Sequence, residues 1–172
     1  MLLPRKDLAV PFTSPTSLTQ KIVIGPVSPE ILFLILTDPD ITPAFFMRCS
    51  FRCERLEPGA PYSLVAGERV LADGAVVAYE PAQSSIELTF AQRWDDEIND
   101  PPGRVRLTVT DRSPLCEFTV VHDGLTPGSR LNDDLDDAWL LIASGLKTLV
   151  EADRGMPLAA DEAAALVLAE AL

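Results

Sequence analysis

Late in this chain the spacing of apolar residues changes from every second position to every third or fourth, and few architectures satisfy both patterns at once. Ile86, Leu88, Phe90, Gln92 and Trp94 share one face of a strand, with Glu87, Thr89, Ala91 and Arg93 on the other. Val105, Leu107 and Val109 alternate with Arg104, Arg106 and Thr108; Cys116, Phe118, Val120 and His122 alternate with Glu117, Thr119 and Val121. Successive strand residues point to opposite faces, so each of these strands has one face to bury. From about Asn132 to Asp153 the period is helical, and Leu135, Trp139, Ile142, Leu146, Leu149 and Val150 form one apolar stripe. Sheet and helix cover each other if the strands pair antiparallel and the long helix lies against their concave side.

The earlier residues fit around that pair. Leu18, Gln20, Ile22 and Ile24 alternate as a first strand that ends at Gly25-Pro26, because proline cannot donate to a ladder. Ser28-Pro29-Glu30 supplies a capping hydroxyl, a proline at the first helical position and an acid in the first turn, which predicts a helix over Ile31–Leu36. It should stop near Asp38-Pro39, followed by a second short helix around Pro43 that carries Phe45 and Phe46. Strands at Phe51–Arg55, Tyr62–Val65 and Glu68–Tyr79 are punctuated by turn signals at Gly59, Gly67 and Asp73-Gly74. The closing helix has acids at Asp133, Asp134, Asp136 and Asp137, Arg154 near its end, Gly155 where a capping glycine is expected, and Pro157 to stop continuation. The organisation read here is an arm over 1–16, one folded domain over 17–157 and an Ala-rich tail of helical propensity over 158–172.

Charge excludes some partners. The formal net charge is −12, so a nucleic-acid backbone or an anionic bilayer is repelled overall. Arg5-Lys6 is followed at once by Asp7, with Pro11 and Pro15 soon after, so no secretory leader is read. The longest apolar run, Ile31–Leu36, is far short of the ~20 residues a spanning helix needs. The expected location is cytoplasmic. Cys49 and Cys53 on one strand would stand about 13 Å apart at ~3.3 Å per residue, beyond the ~7 Å that a disulfide bridges. With only Cys116 and His122 as further soft ligands there is no zinc spacing, and Gly124–Gly128 lacks the lysine of a phosphate loop, so neither a metal nor another cofactor is expected.

A first strand, two short helices, a run of antiparallel strands and a long closing helix resembles the helix-grip fold of the START and Bet v 1-like (SRPBCC) superfamily. Within it, the chain resembles the proteins homologous to the activator of the Hsp-90 ATPase. The likeness is carried by Trp139-Leu140-Leu141-Ile142-Ala143-Ser144-Gly145-Leu146-Lys147-Thr148-Leu149-Val150-Glu151, with its tryptophan, leucine-lysine pair and following acid. It also rests on Val120-Val121-His122-Asp123-Gly124-Leu125, Gly74-Ala75-Val76-Val77 with Glu80-Pro81, Trp94-Asp95-Asp96-Glu97 and Thr37-Asp38-Pro39. The chain departs from the family at Phe45 and Phe46, where a tryptophan is frequent, and at Ala143, where a larger aliphatic residue is usual. The resemblance covers about residues 18–155. It implies an α+β fold: a curved antiparallel sheet of six or seven strands around the C-terminal helix, with two short helices after the first strand.

A sheet curled around one helix encloses a hollow lined by the inward alternation. Phe90, Gln92, Trp94, Phe118, His122, Trp139 and Ile142 are therefore the candidate ligand-binding residues, mostly apolar with a few orienting polar groups. The same aromatics at the same spacing also serve a plain core. No catalytic set is assigned. His122, with an ordinary pKa near neutrality, is the sole acid–base candidate, and no serine or cysteine nucleophile stands at a recognised spacing to it. Asp95, Asp96, Glu97 and Asp100 read as solvated loop acids. The expected function is binding of a hydrophobic or aromatic small molecule. The alternatives are a polyketide cyclase or dehydratase-like enzyme working through His122 and Gln92, and a co-chaperone-like interaction module. A homodimer is also open, because the arm and tail are apolar material with no place in the helix-grip core.

Overall fold

The structure, a computed structural model, describes residues 16–155. The arm, apart from Thr16, and the tail lie outside the described residues. Seven strands form one antiparallel sheet: β1 (Thr16–Ile24), β2 (Ser50–Cys53), β3 (Pro61–Ala66), β4 (Arg69–Glu80), β5 (Ser85–Gln92), β6 (Gly103–Arg112) and β7 (Leu115–Leu125), in spatial order β1-β7-β6-β5-β4-β3-β2. Helix α1 (Pro29–Thr37) follows β1, and helix α2 (Arg130–Ala152) closes the chain. β1 pairs with β7 through Gln20 opposite Val120 and Ile22 opposite Phe118, so the first and last strands lie side by side.

The alternation read from sequence is the alternation of burial. Val105, Leu107 and Val109 on β6 and Cys116, Phe118, Val120 and His122 on β7 are all buried on the concave face. α2 presents Leu131, Leu135, Trp139, Ile142 and Leu146 to that face. Gly145 decides how near it comes to the Phe45 backbone: a Cβ there would stand 3.1 Å from the Phe45 carbonyl oxygen. The helix starts where Ser129 Oγ accepts from Asn132 N–H at 3.2 Å.

Several sequence expectations need correction. The second short helix is a single 3₁₀ turn, Thr42–Ala44, after which Phe46 N–H donates to the Thr42 carbonyl at 2.8 Å and folds both phenylalanines inward. Asp73-Gly74 is not a turn; it lies within β4. A Cβ at Gly74 would sit 2.1 Å from the Thr89 carbonyl oxygen, so glycine marks a close approach of β4 to β5 there. β5 ends at Gln92, before Trp94. α2 is capped at its C-terminus by Asp153 in the left-handed region (φ 50°), and not by Gly155. All three cysteines are free.

Candidate functional site

Between the open end of the sheet and α2 lies an apolar cavity of about 110 Å³. β5 contributes Phe90 and the loop just after it Trp94; α2 contributes Leu135, Ala138, Trp139 and Ile142. These two sets face one another because the helix stripe and the strand alternation both point inward. Leu64, Leu71 and Ala72 from β3 and β4 form the floor, and the segment Phe46–Cys49 borders the opening. Met47 and Arg48 both have left-handed backbone (φ 51° and 61°), a conformation that costs a side-chain-bearing residue about 1–2 kcal/mol. Such strain persists where surrounding structure over-determines it.

The expected site residues divide. Phe90, Trp94, Trp139 and Ile142 line the cavity; Gln92, Phe118 and His122 do not. Phe118 is fully buried in the core. Gln92 is consumed by its own loop: its amide donates to the carbonyls of Asp95 (2.8 Å) and Ile98 (2.9 Å) and accepts from Asp95 N–H at 3.1 Å. It faces a polar groove of about 350 Å³ on the far side of Phe90, lined also by Asp96, Asn99 and Asp100. Asp95 at that edge pairs with Arg130 at 2.9 Å and accepts from Glu97 N–H. Among the described residues no group of three or more potential ligands is arranged to hold a metal ion.

His122 sits behind the cavity wall. Trp139 Nε1–H donates to its Nδ1 at 3.1 Å, and Phe90 meets the ring edge-on with centroids 4.9 Å apart. Because Nδ1 accepts, the ring proton of the neutral form is on Nε2, which lies against Gly103 with no hydrogen-bond partner. Burial holds the His122 pKa down at about 4. The imidazole is therefore neutral at pH 7 and fixes the orientation of the Trp139 indole. The Cys49 thiol, also on the cavity wall, is pushed up to about 12 by burial, so it is no thiolate nucleophile near neutrality.

Sequence reasoning missed Ala138, Leu64, Leu71 and Ala72. Ala138 was signalled by its place on the stripe, three residues after Leu135 and four before Ile142. The strand residues were not separable from ordinary core. It also missed Glu87, buried on the convex side of β5, where its carboxylate meets Arg104 at 3.1 Å and Arg106 at 2.5 Å.

A curved antiparallel sheet gripping one C-terminal helix over an internal apolar hollow defines a helix-grip protein of the Bet v 1-like class. Solved structures of this fold align with the chain. CalU16 from Micromonospora echinospora is 15% identical, with 84% of this chain and 71% of that one covered at a TM-score of 0.68. The Aha1 dimer from Colwellia psychrerythraea is 14% identical, over 81% and 99%, at 0.65. Ara h 8.0201 is 15% identical, over 80% and 99%, at 0.63. At these identities the likeness is one of fold. The family model described as activator of Hsp90 ATPase homolog 1-like protein matches residues 26–151, and the chain belongs to that family. A search of curated proteins finds no match to the chain.

Proposed function

We propose that the protein binds a compact hydrophobic or aromatic small molecule in the cavity between sheet and α2, without covalent catalysis. The observation that carries this reading is the cavity itself: an apolar space walled by Phe90, Trp94, Trp139 and Ile142. Ligand pockets for drug-sized molecules run to roughly 300–1,000 Å³, whereas an apolar cavity of about 150 Å³ takes a benzene. At about 110 Å³ this one is smaller still, so its guest is no larger than a single unsubstituted ring or a short chain, with its end toward the opening. The cyclase-like alternative asks His122 and Gln92 to act on a guest, and neither lines the cavity. The fold relatives also include DynU16, described as a protein in the dynemicin biosynthetic locus.

A thermal-shift screen of small aromatic compounds tests the reading. A ligand at a hundred times its dissociation constant adds ~2.7 kcal/mol, and Ala138→Phe, which fills the cavity, should remove that shift while leaving the protein folded. No shift with any compound class ends the proposal. A homodimer belongs to the same proposal. Its support is the dimer named for the Colwellia protein together with Ile31 and Leu34, which stand 55% and 62% exposed at i, i+3 spacing on α1. Light scattering decides it. No helix among the described residues is long and apolar enough to cross a membrane; with three unbridged cysteines, a reducing cytoplasm is the location we infer.

A further inference from the structure

If the cavity is the binding site, as proposed above, the wall it shares with its neighbour sets how large a guest can be. Beside it lies a second apolar hollow of only about 10 Å³, room for about one water, edged by Phe51, Leu88, Val105 and Leu107. Four residues line both spaces and so stand between them: Phe46, Leu64, Phe90 and Trp139. Leu64 on β3 is held from both sides, opposite Phe51 of β2 and Ala72 of β4. Phe90 on β5 stands opposite Gly103 of β6. Trp139 projects from α2 and is oriented by its hydrogen bond to His122. Phe46 alone of the four lies outside the helices and strands.

Its main chain is nevertheless tied on both sides. Phe46 N–H donates to the Thr42 carbonyl at 2.8 Å, and the Phe46 carbonyl accepts from Cys49 N–H at 2.8 Å. Its ring, only 8% exposed, meets Trp139 edge-on with centroids 5.6 Å apart and Phe45 edge-on at 6.0 Å. A ring seated on two others over an anchored backbone is a fixed partition. We propose that Phe46 is the specificity-determining residue of the cavity: its ring divides the interior and holds the guest to a single ring, excluding the fused two-ring aromatics that the two spaces would take if joined. Deleting the ring merges cavity and hollow and adds the ring's own volume to them.

The test titrates benzene and naphthalene into the full chain, into Phe46→Ala and into Phe51→Ala. Phe51 lines the second hollow and not the cavity, so its variant deletes the same ring and leaves the partition standing. Naphthalene has more apolar surface and binds the tighter of the two wherever it fits. In the wild type it should bind at least about tenfold more weakly than benzene, the scale on which a hydrophobic pocket rejects an oversized guest. Phe46→Ala should reverse that order, and Phe51→Ala should leave it as it is. The methyl signals of Leu88, Val105 and Leu107 should move with naphthalene in Phe46→Ala and stay unmoved with benzene in the wild type. Naphthalene binding the wild type more tightly than benzene, equal gains in the two variants, or a gain in Phe46→Ala without those methyl shifts overturns the partition while the cavity still binds benzene. Failure of benzene to bind the wild type overturns the partition and the binding reading together. If either alanine variant does not fold, Phe46→Leu and Phe51→Leu make the same comparison with the smaller change.

Discussion

Replacing the chain's single histidine should flatten the acid limb of its stability curve. In the fold, His122 is wholly buried, accepts from Trp139 at 3.1 Å and is held at a pKa of about 4 by burial. In the unfolded chain it returns to about 6.5. Between those values the unfolded chain takes up a proton that the folded chain refuses. Stability therefore falls as pH falls from about 6.5 to about 4, and this contribution is fully lost below that window. A displacement of two to three pH units at about 1.4 kcal/mol each makes the loss about 3 kcal/mol. The physical cause is visible in the geometry: a proton on Nδ1 would point at the Trp139 N–H, donor against donor, at a fully buried side chain. His122→Asn places an acceptor oxygen near Nδ1 and does not titrate. Urea unfolding of both proteins from pH 8 to pH 4 should show wild type losing about 3 kcal/mol more than the variant. Carboxylates held down by partners, such as Glu151 beside Lys147, lose stability in acid in both proteins and cancel in the difference. Parallel profiles would refute the buried neutral imidazole and with it the account of how Trp139 is oriented.

Two further substitutions test how the site is framed. Gly74→Ala drives a Cβ into the Thr89 carbonyl, which also accepts from Tyr62 Oη–H at 2.7 Å; forcing β4 and β5 apart should cost about 2–3 kcal/mol in denaturant unfolding, and a change within about 0.5 kcal/mol would deny the close approach. Ser129→Ala removes the α2 cap and should cost about 1 kcal/mol, seen as a fall of about 3 °C in Tm. An unchanged Tm would mean that Asn132 N–H finds another acceptor.

The strand and helix alternations were legible because burial on one face leaves a period in the chain, and β6, β7 and α2 follow it residue by residue. Asp73-Gly74 misled because a glycine that makes room for a neighbouring backbone and one that turns the chain look alike in sequence. The inward rule names Phe90, Trp94, Trp139 and Ile142, which line the cavity. That rule also returned Phe118 and His122, since it identifies the concave side but not which part of that side is filled. Where the hollow is empty depends on side-chain volumes summed across β3, β4, β5 and α2, and Ala138 opposite Phe90 is legible only once their register is known. Gln92 was lost to its own loop by hydrogen bonds to Asp95 and Ile98, partners that no alternation pattern encodes.

Titrating benzene into isotope-labelled protein puts the hollow itself on trial. Saturable shifts should appear at Ala138, Leu135 and the indole signals of Trp94 and Trp139, and should vanish in Ala138→Phe. Shifts confined to the exposed Ile31 and Leu34 on α1, or no saturable shift anywhere, would contradict a cavity that takes a guest.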